Sequence, residues 1–253
     1  MRRIISDLCL VAALLLGIVF TAQAQFNSFP PGTFTSRSAL DAAGGGGGNT
    51  VTFDAKVSAL ATANSTTVTN NNLTIGALNS TVLVGVVGFN DIVVPASVAM
   101  TWNGVSMTQV ASGFSASAYS TVIFCLVAPA TGNHALVASW TGTFQAYLDG
   151  LSFTNVNQTG GTTSCPNGTS NTGSAVTTST VTVTSQTNNK VVAAHQQNAG
   201  NWGAINGTTI SSSTALSNNY ASNYNVGAAT VNMTAAYAAS GTFLAVGTDI
   251  LHN

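Results

Sequence analysis

The sequence predicts an all-β chain folded as a two-sheet antiparallel β-sandwich, jelly-roll-like, with about ten to twelve strands. Three observations carry that expectation. The first is Val98-Ala-Met-Thr-Trp-Asn-Gly-Val-Ser-Met107, where Asn103 and Gly104 stand between alternating apolar positions. A two-residue type I′ turn needs positive φ at both central residues, and Asn-Gly supplies it. The second is a pair of apolar runs, Thr81 to Phe89 and Tyr119 to Val127, as expected of strands covered on both faces or central to a sandwich. The third is punctuation. From Asn49 onward, Thr-, Val- and Gly-rich segments alternate with turn residues and show no helical periodicity.

Taken in order, Thr50 to Leu60 alternates at Val51, Phe53 and Ala55, and Leu73 to Leu78 is a second short strand; both read as edge strands. In the hairpin, Trp102 should face Val105 and Met100 should face Met107, giving an apolar stripe that seeks a second sheet. Pro129-Ala-Thr-Gly-Asn133 is a turn. It feeds His134 to Trp140, with His134, Leu136, Ala138 and Trp140 on one face. A Thr141-Gly-Thr143 turn then precedes a strand over Phe144 to Val156, and the polar interval from Asn157 to Thr180 reads as a surface loop.

The second half restates the first. Thr180 to Thr184, a turn, and Lys190 to Ala194 echo Asn72 to Ile75, a turn, and Thr81 to Phe89. Strands over Ala228 to Ala236 and Gly241 to Ile250 close one domain with structural pseudo-symmetry.

Residues 1–24 read as an export signal: Arg2 and Arg3, an apolar run from Leu8 to Phe20, and Ala22-Gln-Ala24 as a small-x-small cleavage site. The run is too short for a membrane span, so the expected location is secreted or cell-surface, with no span once the signal is removed. Residues 25–48 form an arm carrying Phe26, Phe29 and Phe34 and ending in a flexible tether, Gly44 to Gly48. Apolar side chains on such an arm suit either packing on its own domain or docking on a neighbouring subunit by strand addition. Residues 49–253 are the sandwich.

Only 4% of residues are charged, Glu is absent, and beyond residue 24 the basic side chains are Arg37, Lys56 and Lys190. No patch can neutralise phosphates, which excludes a nucleic-acid partner. Cys125 and Cys165 are an even pair in an oxidising location. They are either bridged, tying a polar loop to a central strand, or one buried and one exposed thiol; the Cα separation decides. Asn90 and Asp91 offer two adjacent oxygens for calcium, ordinary loop chemistry and a weak signal; no other cofactor is indicated.

The succession Thr101 to Thr108, Ala128 to Asn133, Ser139-Trp-Thr-Gly142 and Phe153 to Thr159 resembles a loosely defined group of bacterial exported β-sandwich domains found in adhesin-like surface proteins. The resemblance covers most of 49–253. It implies fold and location, transfers no catalytic residue, and leaves the ligand open.

Glycosidases of this architecture need two carboxylates flanking the scissile bond. Asp41, Asp54, Asp91, Asp149 and Asp249 form no closely spaced acidic motif, and His134 and His195 have no recognisable nucleophile partner. A binding module needs less chemistry: an aromatic face for sugar C–H groups, with amides and hydroxyls beside it. Trp202 and Asn201, in the loop Asn198 to Gly203, and Tyr220 and Tyr224, in the polar stretch Ser217 to Asn225, supply these groups. Trp102 and Trp140 alternate as core residues. The leading expectation is a non-enzymatic recognition or adhesion domain for carbohydrate or matrix. A self-assembling subunit using the arm comes second, and a polysaccharide hydrolase third.

Overall fold

Alternation along a strand sends successive side chains to opposite faces, so a run such as Val82 to Phe89 must be covered twice. The computed structural model shows how. It describes residues 49–78, 80–91, 93, 95–115, 119–216 and 218–253. The segment 1–24, expected to be an export signal, and the expected arm with Phe26, Phe29 and Phe34 lie outside the described residues.

Among the described residues thirteen strands and one short helix follow in order: β1 (Thr52–Ile75), β2 (Val82–Asn90), β3 (Ala96–Trp102), β4 (Val105–Ser106), β5 (Thr108–Ser115), β6 (Tyr119–Val127), β7 (Gly132–Thr154), α1 (Gly161–Ser164), β8 (Thr169–Thr184), β9 (Lys190–Gln197), β10 (Trp202–Ile205), β11 (Thr208–Leu216), β12 (Asn218–Val226) and β13 (Thr230–Ile250). The first seven strands build one sheet, ordered β4-β3-β7-β2-β6-β5 with β1 along the other edge of β7. The last six build the second, ordered β10-β13-β9-β12-β11 with β8 along the other edge of β13. All pairings are antiparallel. The two-sheet sandwich is as expected, with a connectivity in which each half of the chain completes its own sheet.

The pseudo-symmetry is a duplication of register. The row Gln109, Phe124, Gly85, Gly150, Val57 crosses five strands of the first sheet, and the row Thr209, Asn223, Ala193, Gly247, Thr169 crosses the second. In both sheets a bulge follows at the same point of the edge strand, between Gln109 and Ala111 and between Thr209 and Ser211.

The structure corrects the expected segmentation. Thr50–Leu60 and Leu73–Leu78 are ends of one edge strand, β1; the segments either side of Thr141-Gly-Thr143 are one strand, β7; and β13 joins the last two expected strands. Gly142, at φ 95°, bends β7 without ending it, because a local kink or bulge costs one or two ladder bonds rather than the pairing. The expected loop over 157–180 is overturned as well: β8 starts at Thr169 and pairs with β13 over nearly its whole length. Polar Ser, Thr and Asn suit an edge strand whose outer face meets water.

These bends give the molecule three cores. One lies between the sheets and draws on both halves, with Val82, Val84, Val86, Ile123, Tyr147 and Leu151 against Val192, Ala194, Tyr220, Leu244 and Val246. Two more lie inside the halves. Leu83, Val87 and Phe89 turn away from the sheet interface to meet Met100, Trp102, Leu136 and Trp140, and Val191 and Ala193 meet Val181, Met233 and Phe243. β2 is therefore buried on both faces. In the hairpin, Asn103 and Gly104 both have positive φ, and Trp102 pairs with Val105. Met100, Trp102 and Met107 enter the core, while Val105, on the two-residue β4, stays exposed. The indole N–H groups of Trp102 and Trp140 donate to Ala130 O and Ser65 O, so both tryptophans are satisfied core residues.

Cys125 on β6 and Cys165, just after α1, are bonded, with a Cα separation of 6.4 Å. Both are buried. The bridge ties the connection between the two halves to a central strand of the first. Among the described residues no helix is long and apolar enough to cross a membrane.

Candidate functional site

A buried polar cluster between the sheets surrounds Asp149, on β7. Its cross-strand neighbour on β1 is Ser58, and the second sheet presents Ser211, Tyr220 and Ser222 to it. Its Oδ2 accepts hydrogen bonds from Ser211 Oγ at 2.7 Å, Tyr220 OH at 2.7 Å and Ser222 Oγ. Asp149 is 1% exposed. Three hydroxyl donors replace the water that burial removes, the condition for keeping a carboxylate inside a protein. Burial, with the neighbouring Asp149 carboxylate adding to it, pushes the Tyr220 hydroxyl well above its ordinary value, so Tyr220 is a fixed donor.

The cluster continues as a chain of side chains. Tyr220 stacks on Tyr147 with ring centroids 4.5 Å apart. Tyr147 OH donates to Asn218 and accepts from Leu216 N. Asn218 Nδ2 donates to Gln196 Oε1, and Gln196 Nε2 donates to Ser120 O and Thr121 Oγ1. Gly88 on β2 makes room for this chain, since a Cβ there would come within 2.8 Å of the Tyr220 ring. The cluster opens into a cleft of about 300 Å³ lined by Ser58, Ala59 and Leu60 of β1, Ser211, Ser212 and Ser213 of β11, and Tyr147, Asp149 and Tyr220. That volume is at the lower end of ligand-sized sites. At the rim Lys56 Nζ donates to Ile210 O at 2.9 Å, capping carbonyls of β11, an edge strand.

The duplicated register shows what is special here. The row through Val86, Asp149 and Ser58 corresponds to the row through Ala194, Val246 and Ser170. Where the first half places Asp149, the second places Val246. The reciprocal junction, where β13 and β8 meet β5, is sealed: a Cβ on Gly113 would come within 2.8 Å of Leu244, Val246 and Ser170. The residue corresponding to Gly113 is Ser213, which lines the cleft. One junction is a closely packed seam and the other an open, hydroxyl-lined cleft around a carboxylate.

Comparison of the chain with protein-family models, curated proteins and solved structures finds no match in any of the three. The chain's own geometry therefore carries the functional reading.

The residues singled out in the sequence do not form one surface. Trp202 lies on β10, not in a free loop; it is half-buried, packs on Tyr237 at 4.7 Å and donates to Ser213 O. Asn201 beside it is exposed, its carbonyl accepting from Ala238 N. Tyr220 and Tyr224 are on β12, not in a loop. Tyr220 is 1% exposed with one face covered by Tyr147, so it contributes a hydroxyl rather than a sugar platform. Tyr224 stacks on Phe53 at 5.1 Å, with Lys190 Nζ 6.0 Å from its ring. Asp91 Oδ1 accepts from Val93 N, an Asx turn, and Asn90 ends β2. Among the described residues no three His, Cys, Asp or Glu side chains gather as a metal set.

Sequence reading missed Asp149, Ser58 and Ser211 as partners because they come from three strands of two sheets. A second polar cluster was also missed. In the second half, His195, Gln197 and Asn223 occupy the register positions of Val87, Phe89 and Phe124, and all three are fully buried. His195 Nδ1 lies 2.8 Å from Ser179 Oγ, which is 3.0 Å from Tyr237 OH. Burial pushes the imidazole down to about 4, an effect the Asn223 amide partly offsets. Among the described residues His195 Nε2, Gln197 Oε1 and Asn223 Oδ1 make no hydrogen bond of normal geometry, so the Asn223 amide acts on the imidazole by proximity rather than through a well-formed bond. His134, by contrast, is a strand residue with Nε2 3.0 Å from Thr131 O.

Proposed function

We propose that the chain is an exported, non-enzymatic recognition domain that holds a polyhydroxylated ligand, a sugar, in the cleft between β1 and β11. One observation carries this reading: a buried carboxylate with a hydroxyl shell stands at the junction whose duplicated counterpart is a closely packed seam with Val246 in the carboxylate's place. Ser58, Ser212 and Ser213 add hydroxyls that can both donate and accept, matching the alternation of donors and acceptors around a sugar ring. Among the cleft-lining residues Asp149 is the single carboxylate, whereas glycoside hydrolysis by either stereochemical route uses two. Export by the sequence at 1–24 would deliver the domain to where glycans and matrix are.

The test is binding of a panel of soluble oligosaccharides to the full chain and to Ser58→Trp. Ser58 is exposed and sits across from Asp149, so an indole there fills the cleft without disturbing the core. The variant should unfold at the parent's temperature and lose binding by at least about tenfold, the loss of one charge-assisted contact or more. Parent-like binding by Ser58→Trp, with loss on Trp202→Ala, would move the site to β10 and end this reading.

A further inference from the structure

Among the described residues no cationic side chain bonds to the Asp149 carboxylate in the cleft. The donors to Asp149 among the described residues are three neutral hydroxyls, and all three end on Oδ2, so Oδ1 takes none of them. The described residues contain two lysines, and neither reaches it: Lys56 Nζ is committed to Thr209 O and Ile210 O, and Lys190 lies over Tyr224. Histidines 134, 195 and 252 are bound elsewhere, to Thr131, Ser179 and Asn189. A carboxylate out of water and without a counter-charge attracts a cation strongly. Neutral hydroxyl donors hold it in place but leave its charge unbalanced.

Resting on the reading of the cleft as a sugar site, we infer that its ligand carries a protonated amine, and that the domain recognises amino sugars in their free-amine form. The ammonium sits against Asp149 at the bottom of the cleft, and the ring hydroxyls meet Ser58, Ser212 and Ser213 nearer the mouth. A small, three-donor head group suits a carboxylate this enclosed, and a charge-assisted hydrogen bond is about twice as strong as a neutral one. N-acetylation of the same sugar removes the charge and adds bulk at that point, so the cleft discriminates between the two forms.

The experiment is calorimetric titration of the full chain with three probes: a β-1,4-linked glucosamine tetramer, its fully N-acetylated counterpart, and the corresponding glucose tetramer. The glucosamine tetramer should bind at least about tenfold more tightly than either neutral probe, and the preference should shrink as salt is raised. Asp149→Asn should bind all three alike. Equal affinities for the three probes in the parent overturn the amine inference and leave the sugar reading standing; no binding of any probe overturns both. If Asp149→Asn does not fold, Ser58→Trp supplies the control: a glucosamine preference that survives filling the cleft arises elsewhere and also overturns the inference.

Discussion

His195 is one of the residues at which the second sheet departs from the first, an imidazole in the place of Val87. Its folded-state value of about 4 lies below the ordinary 6.5, so between these two pH values the unfolded chain binds more protons and stability rises with pH. The contribution is complete above pH 6.5 and is lost progressively on acidification through about 4. We expect unfolding free energy to fall by about 2 kcal/mol from pH 7 to pH 5 from this group alone. His195→Gln should flatten that slope. Denaturant unfolding of both chains at the two pH values measures it, and an unchanged slope in the variant would show that His195 is not the group. At this scale sequence was a partial guide. The core roles of Trp102 and Trp140 followed from alternation, whereas for Cys125 and Cys165 the sequence left a bridge and two free thiols equally open, and the Cα separation of 6.4 Å decides for the bridge. Tyr220 and Asp149 were not legible as partners, since nothing local marks two residues 71 positions apart as hydrogen-bonded.

Among the elements, the long strands explain both what sequence revealed and what it hid. Apolar runs marked β2 and β6 clearly, because both faces of each are covered. β1, β7 and β13 were cut in two, because a glycine or a polar patch inside a strand looks the same in sequence whether the chain turns or merely bends. Gly142 is such a bend. Gly113 acts differently, letting β5 lie flush against β13 and β8. Gly113→Ala should therefore force a Cβ into Leu244, Val246 and Ser170, destabilising by about 1–3 kcal/mol as overpacked sites do. A stability equal to the parent's in urea would mean that the seam is looser than its geometry shows. Lys56 works at the opposite edge, where its ammonium caps β11 carbonyls that would otherwise invite another strand.

Across the whole molecule, duplication is the organising fact. Two halves with the same register and the same bulge pack through a shared core, and between them they form two junctions. Sequence hinted at the repeat in the order of strands; it could not show that the junctions differ, because that depends on which faces meet. The closely packed junction with Gly113, Leu244 and Val246 serves folding, and the one with Asp149 and the β11 serines is free to serve recognition. Amide chemical-shift mapping on the isotopically labelled chain, titrated with the glucosamine tetramer, tests this claim most directly. Perturbations confined to residues 58–60, 147–149 and 211–213, saturating together, are the predicted result. Perturbations centred on Asn201 and Trp202, with the cleft residues unmoved, would contradict it.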